Sequence, residues 1–411
     1  DKPKTSSFAS RALAVKMIMS LIGVGLVGFF VAITHPSPDI VQLFLLNAAT
    51  LPLIAYASTV SSVFRGYEMM QYDAYSRAAI AALTTSIGIT LVLNGFGIVA
   101  LSVLTLVFTA VNALYLGLLN AKLKLAVFKF ISDWGTYWSV VKRALPFAAV
   151  AFFVTISFRI DTAMLGLYKS PEVVGQYSAA YRLLEVLLII PGLFAGVLLP
   201  NIAEKIRTSM DSLRKLVMFS IKYFGYLGIG LAVGCFMLAP QIINLLFGTG
   251  FPDSVLTLRI LALALIPTFI SSITSTVIAA SDRPGINTYI ALGMAVFNVT
   301  LNLLLIPRFS LYGAAVNTLL TESLGLLIGT ICIVRLITPL PYYKQLIKPL
   351  VAGAVMAGAI ALMPNLWLVP IYAAIYIGTL LVLRGINRQD LDYLKEAMPT
   401  RVRQALFNRT A

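Results

Sequence analysis

One histidine and two cysteines in 411 residues leave no disulfide framework and no metal-ligand spacing to read. Cys235 and Cys332 each fall in a long apolar run and read as small packing residues, while His35 sits in a short polar loop. Charge is scarce as well. Asp, Glu, Lys and Arg make up only 11% of the chain, against about 25% in soluble proteins, which excludes a soluble globular domain. The apolar runs are long and show no alternation, which excludes a β-barrel and leaves a polytopic α-helical membrane protein. No P-loop, HExxH or paired-cysteine metal motif occurs, so no cofactor and no metal is expected. A literal GxGxxG, Gly23 to Gly28, lies inside an apolar run with no strand before it. Close helix packing is therefore the reading, not a dinucleotide site.

What the chain has in plenty is apolar residues, 59% of the total, and an excess of base over acid that sums to +15. The apolar pattern predicts twelve spans, at 13–33, 41–63, 77–94, 97–119, 145–168, 173–199, 216–238, 255–278, 288–306, 313–334, 350–364 and 368–383. With the N-terminus inside, every Lys and Arg falls on the cytoplasmic side except Lys169, Arg259 and Arg308 at the outer edge and Arg159 and Arg182 within the membrane. Both ends are then cytoplasmic and the excess charge meets lipid headgroups, not nucleic acid. The start, DKPKTSSFASRA, has no apolar core of its own and is no signal peptide. The connection 64–77 is amphipathic, and the longer one, 120–143, sets Trp134, Tyr137 and Trp138 among basic residues, which fits a helix in the headgroup layer. The outer connection around 244–255 is rich in turn formers, SDRPGIN at 281–287 is a tight inner turn, and the tail from Arg384 is basic and cytoplasmic.

The informative stretch is the hairpin at 145–200. Arg159 and Asp161 lie inside its first span, Arg182 and Glu185 inside its second. A charge at that depth costs at least about 2.5–3.5 kcal/mol on insertion scales and normally faces protein or a wet cavity. Arg159 is nine residues before Tyr168 and Arg182 nine after Val173, so both lie about 14 Å below the outer turn at 1.5 Å per residue. Two arginines at one level suggest a cationic place for an anionic ligand. The plainer possibility is structural ion pairing: Arg182 and Glu185, three apart, share a face, whereas Arg159 and Asp161 point about 200° apart. Farther on, Asn298 and Asn302 share a helix face, with Asn317 and Glu322 on the next span. The asparagines serve equally well as interhelical hydrogen-bond glue or as pore lining. Glu322 is the better functional candidate.

A repeat is visible. Segment 65–104 parallels 280–318 at an offset of 214, which places Tyr75 on Tyr289 and Ala100 on Ala314. Both copies run from inside to outside, so the repeat is parallel. Three parts are expected: four spans in 1–143, six in 144–335, and a helix pair with a basic tail in 336–411. By the repeat, a hairpin equivalent to 145–200 is expected ahead of residue 1, as in a longer form of the protein.

The run FRIDTAMLGLYKSPEVVGQYSAAYRLLEVLLIIPGLFAGVLLPNIAE, supported by FRGYEMMQY, LFGTGF and SDRP in order, resembles the polysaccharide flippases of the multidrug/oligosaccharidyl-lipid/polysaccharide exporter superfamily. The resemblance covers essentially the whole chain. It implies an all-helical fold of two six-helix lobes plus a C-terminal helix pair, here with the first lobe's first two helices missing. It also implies a non-enzymatic flippase of the plasma membrane that carries polyprenyl-pyrophosphate-linked oligosaccharide from the cytoplasmic to the outer leaflet by alternating access. Polysaccharide polymerases or glycosyltransferases are the implied partners. Arg159 and Arg182 match the family's cationic positions. Asp161, Glu185 and Glu322 are candidates for counter-ions or ion coupling. The rival readings are a drug or organic-cation antiporter of the same superfamily, which calls for acidic cavity residues without paired arginines, and a membrane glycosyltransferase or ligase, which needs a larger outer domain than these short loops supply. A scaffold for partner proteins is a third.

Overall fold

Proline and small acids mark where helices begin. Pro38 with Asp39, Pro171 with Glu172 and Pro252 with Asp253 each occupy the first turn of a helix. There the missing proline N–H costs nothing and a carboxylate meets the positive end of the helix dipole. In the computed structural model, which describes residues 2–67, 69–128, 134–281, 285–336 and 343–386, every regular element is helical. The α-helices are α1 (Lys2–Thr34), α2 (Pro38–Gly66), α3 (Met70–Leu93), α4 (Ile98–Leu123), α5 (Trp134–Tyr168), α6 (Pro171–Thr208), α7 (Met210–Met237), α8 (Ala239–Phe247), α9 (Pro252–Ala280), α10 (Gly285–Leu336), α11 (Tyr343–Leu362) and α12 (Val369–Val382). The side chains of Trp134, Tyr137 and Trp138, the centre of the 281–287 turn and the tail beyond 386 lie outside the described residues.

Ten of these helices are long and apolar enough to cross a membrane, and the apolar stretch 366–382 is a shorter further one. One of the ten, α10, contains two expected spans. It is broken at Ser310, whose φ of 55° and ψ of −137° are not helical. Pro307, which cannot donate a backbone hydrogen bond, lies just ahead of the break. Gly313 just beyond it passes so near the first arm that a Cβ there would stand 2.5 Å from the Leu305 carbonyl oxygen. Only glycine admits that approach. The protein is thus a multi-pass membrane protein with about twelve crossings among its described residues. Large apolar side chains such as Leu26, Phe29, Leu93 and Leu118 point outward as lipid requires.

The chain divides into two units, residues 1–145 and 146–411, with the boundary inside α5. In the first, α2 packs on α1, α3 and α4 around Val60, Phe64 and Leu116. In the second, α9 is central, packed by α6, α7, α8 and α10 around Leu261, Leu265, Phe269 and Ile273. The C-terminal pair α11 and α12 lies on α7, where Tyr376 Oη donates to the Tyr226 carbonyl at 2.7 Å. The offset of 214 maps the start of α3 at Met70 to 284, its end at Leu93 to Pro307, and the start of α4 at Ile98 to Tyr312, each beside the matching point of α10.

The connection after the seventh span turns at 248–251, as its glycines imply, while its first half, residues 239–247, forms α8, started by Pro240 and stopped by Gly248 at φ +79°. In the GxGxxG run only Gly23 meets a neighbour, Leu51 of α2, whereas Gly25 and Gly28 face open space. Close packing explains one glycine of the three.

Candidate functional site

In α6, Arg182 and Glu185 are one helical turn apart, and α5 brings Arg159 to the same carboxylate. Arg159 Nη1 lies 3.0 Å from Glu185 Oε1, and Arg182 Nη1 lies 3.2 Å from Oε2. Glu185 is therefore a bridge. The side chains of Arg159 and Arg182 remain 64% and 72% exposed while that of Glu185 is 23% exposed. Each guanidinium has five N–H donors, so most remain open to a ligand, and the trio carries a net charge of +1. Such a fork suits the paired oxygens of a phosphate.

Asp161, two residues from Arg159, turns the other way into the protein, as its angular offset requires. It is 1% exposed and pairs with no arginine among the described residues. Tyr177 Oη of α6 and Thr318 Oγ1 of α10 each donate to its Oδ2 at 2.9 Å, and Asn302 Nδ2 donates to Oδ1. Asn302 donates in turn to Asn298 Oδ1 at 3.0 Å, and Asn317 Nδ2 donates to the Asn298 carbonyl at 3.0 Å. The network ties α5, α6 and both arms of α10 together. The asparagines here are interhelical glue, in the sense of buried polar groups that satisfy one another. Glu322, half-buried on the second arm of α10, accepts one hydrogen bond, from Thr268 Oγ1 of α9 at 2.9 Å.

Of the five charged residues singled out from sequence, Arg159, Arg182 and Glu185 converge, while Asp161 and Glu322 stand in separate polar settings. Sequence reading missed Tyr177, Thr318 and Thr268 because a lone hydroxyl in a span carries no signal until its partner is known. It also missed a groove of about 1120 Å³ between α6, α7, α11 and α12. Its lining on α7 runs from Leu216 to Cys235, about 28 Å of helix, comparable with the ~30 Å of a hydrocarbon core. Phe194, Val197, Tyr372 and Tyr376 make it apolar, with Asn201, Glu204 and Lys205 at one end. Among the described residues no three His, Cys, Asp or Glu side chains come together as metal ligands.

Residues 140–379 match the family model described as lipid II flippase MurJ, and residues 1–205 match the one described as polysaccharide biosynthesis protein. Two proteins of Haloferax volcanii are similar over 202 residues: the probable flippase AglR at 25% identity, and the probable low-salt glycan biosynthesis flippase Agl15 at 24%. The matches take in 48% and 49% of this chain but 42% and 43% of those proteins, so the chain spans less than half the length of either. Among solved structures, the lipid II flippase MurJ in an inward closed conformation superposes with a TM-score of 0.77 at 19% identity, over 95% of this chain and 86% of that one. An inward-facing multidrug-resistance MATE transporter gives 0.68 at 15% identity, over 80% of each chain. Likeness at that identity speaks for the fold.

Proposed function

We propose, for a chain that belongs to the polysaccharide flippases of the multidrug/oligosaccharidyl-lipid/polysaccharide exporter superfamily, that it carries a polyprenyl-pyrophosphate-linked oligosaccharide from the cytoplasmic to the outer leaflet of the plasma membrane by alternating access. It is a transporter, not an enzyme, and both ends lie in the cytoplasm. The observation that carries this reading is the pair of exposed guanidiniums held on one glutamate within a span. Fixed cations at one depth offer a pyrophosphate what water would otherwise supply. Glu185 holds them apart from each other and in place while the site is empty. The groove along α7 supports the lipid half of the substrate, since its apolar lining runs the thickness of a bilayer. Asp161 and Glu322 are the acids through which an ion gradient would act. The product would pass to a polysaccharide polymerase or glycosyltransferase on the outer side.

An organic-cation antiporter would want an uncompensated acid where this unit has two exposed arginines around one half-buried glutamate. The test is leaflet exchange in proteoliposomes with a fluorescent polyprenyl-pyrophosphate oligosaccharide, run beside a fluorescent organic cation. Movement of the first and not the second is the expected outcome. Movement of the cation alone would overturn the reading.

A further inference from the structure

In the first unit the serines of α2 hold two cations on one face. Ser58, Ser62 and Arg65 follow at i, i+4 and i+7, and Lys16 approaches from α1. Lys16 Nζ donates to Ser58 Oγ at 3.0 Å and Arg65 Nη2 donates to Ser62 Oγ at 3.2 Å. Each hydroxyl spends its own hydrogen inside the helix: Ser58 donates to the Ala55 carbonyl at 3.1 Å, and Ser62 to the Ser58 carbonyl at 2.8 Å. The oxygens are thereby free to seat the cations, but a neutral oxygen does not balance a charge. The one acid described on the adjoining end of α3, Asp73, is already used. Ser61 Oγ donates to it at 2.6 Å and Arg77 Nε at 3.0 Å. Among the described residues neither Lys16 nor Arg65 closes an ion pair with a carboxylate; Arg65 feels the charge of Asp73 only from a distance, and Lys16, Arg65, Arg77 and Asp73 together sum to +2.

The depth of the cluster identifies what balances it. Counting 1.5 Å per residue from the far ends of the helices, Lys16 is about 27 Å from Thr34, and Ser58 and Ser62 are about 30 and 36 Å from Pro38. The hydrocarbon core is ~30 Å thick and the whole bilayer ~40–45 Å with its headgroups. The two cations therefore straddle the boundary between acyl chains and headgroups, the level of lipid phosphates. Basic pockets between membrane helices on the cytoplasmic side are suited to such headgroups. Arg65, on a helix that enters from the other side, turns its guanidinium back toward the core and onto Ser62, as side chains lean toward a helix N-terminus.

We propose that Lys16 and Arg65, seated on Ser58 and Ser62, form a binding site for the phosphate of a lipid headgroup at the basic end of the first unit. The inference does not depend on what the protein transports. The ammonium has two donors beyond Ser58, and the guanidinium has further N–H groups beyond its one bond to Ser62, so a phosphate can bridge both.

The experiment is native mass spectrometry of the detergent-purified chain titrated with phosphatidylglycerol, phosphatidylcholine or a polyprenyl diphosphate. The expected result is one tightly retained phosphatidylglycerol that phosphatidylcholine does not replace. The double variant Lys16→Gln with Arg65→Gln should bind it at least tenfold more weakly, and Lys16→Arg with Arg65→Lys should retain it. On the unaltered chain, raising the salt concentration should weaken the same binding step. Competition by the polyprenyl diphosphate would assign the phosphate to a polyprenyl lipid, and lack of competition to bilayer phospholipid. The proposal fails if the Gln pair binds as the parent does, if the charge-preserving pair loses the lipid, or if salt leaves the retained lipid unaffected.

Discussion

Arg159 and Arg182 both rest on Glu185 and both expose most of their side chains. Replacing either by Gln should therefore reduce lipid flipping strongly while leaving the protein folded in detergent, because exposed ion pairs contribute only about 0–1 kcal/mol to stability. Arg182→Lys should recover part of the rate, since it keeps the charge and loses the planar fork. If both Gln variants flip lipid at the parental rate, the cationic site is misassigned. Asp161 should behave in the opposite way. Asp161→Ala strands the Tyr177 hydroxyl and one Asn302 N–H, while Thr318 retains the Ala314 carbonyl 3.2 Å away. At about 1–3 kcal/mol for each stranded donor, thermal unfolding should show a loss of some 2–6 kcal/mol, and Asp161→Asn a smaller one. An unchanged melting curve for the Ala variant would mean that the network does not support the fold.

Elements are joined at places where a side chain has no room. Gly228 of α7 faces α9 so closely that a Cβ would stand 3.1 Å from Phe269 Cβ and 3.3 Å from the Leu265 carbonyl oxygen. Gly228→Ala should destabilise the second unit by about 1–3 kcal/mol, the usual cost of overpacking. Gly313→Ala should cost more, because its neighbour is backbone that cannot rotate away. Between these, Ser310 holds a positive φ that a residue with a Cβ adopts only under strain. Ser310→Gly should leave the α10 turn intact and raise the melting temperature, and a fall would show that the serine side chain holds the turn.

For the molecule as a whole, the proposed function predicts that a driving ion acts through a group that changes charge or partner. Glu322, with one donor, Thr268, among the described residues, would exchange a cation with less rearrangement than Asp161, which is held by three. Proteoliposomes given proton or sodium gradients should accelerate flipping. Glu322→Gln should remove more of that response than Asp161→Asn. If neither gradient nor potential alters the rate, both acids are structural. Orientation is open to direct measurement. With Cys235 and Cys332 replaced, Ser37→Cys should react with an impermeant thiol reagent from outside intact cells, and Ser209→Cys only after permeabilisation. The reverse pattern would overturn the cytoplasmic placement of both ends.

The existence and order of the membrane spans were legible in the chain itself. Hydropathy over twenty residues, proline at first turns and 1.5 Å per residue are local properties that depend on no distant partner. The angular separation of Arg159 and Asp161 along one helix was local too, and it correctly set them on different business. What no local property could tell is which neighbour each turned toward. That Glu185 serves both arginines depends on how α5 lies against α6. That Asp161 belongs to Asn302 and Thr318, more than 140 residues away, depends on α10 folding back at Ser310. The same holds for the groove, whose walls come from α6, α7, α11 and α12, and for Lys16 on Ser58, 42 residues on. A sequence limits what a side chain can offer and how deep it stands. Only tertiary packing decides whom it meets, because hydrogen bonds and ion pairs form over about 3 Å and that precision exists only once the helices have closed upon one another.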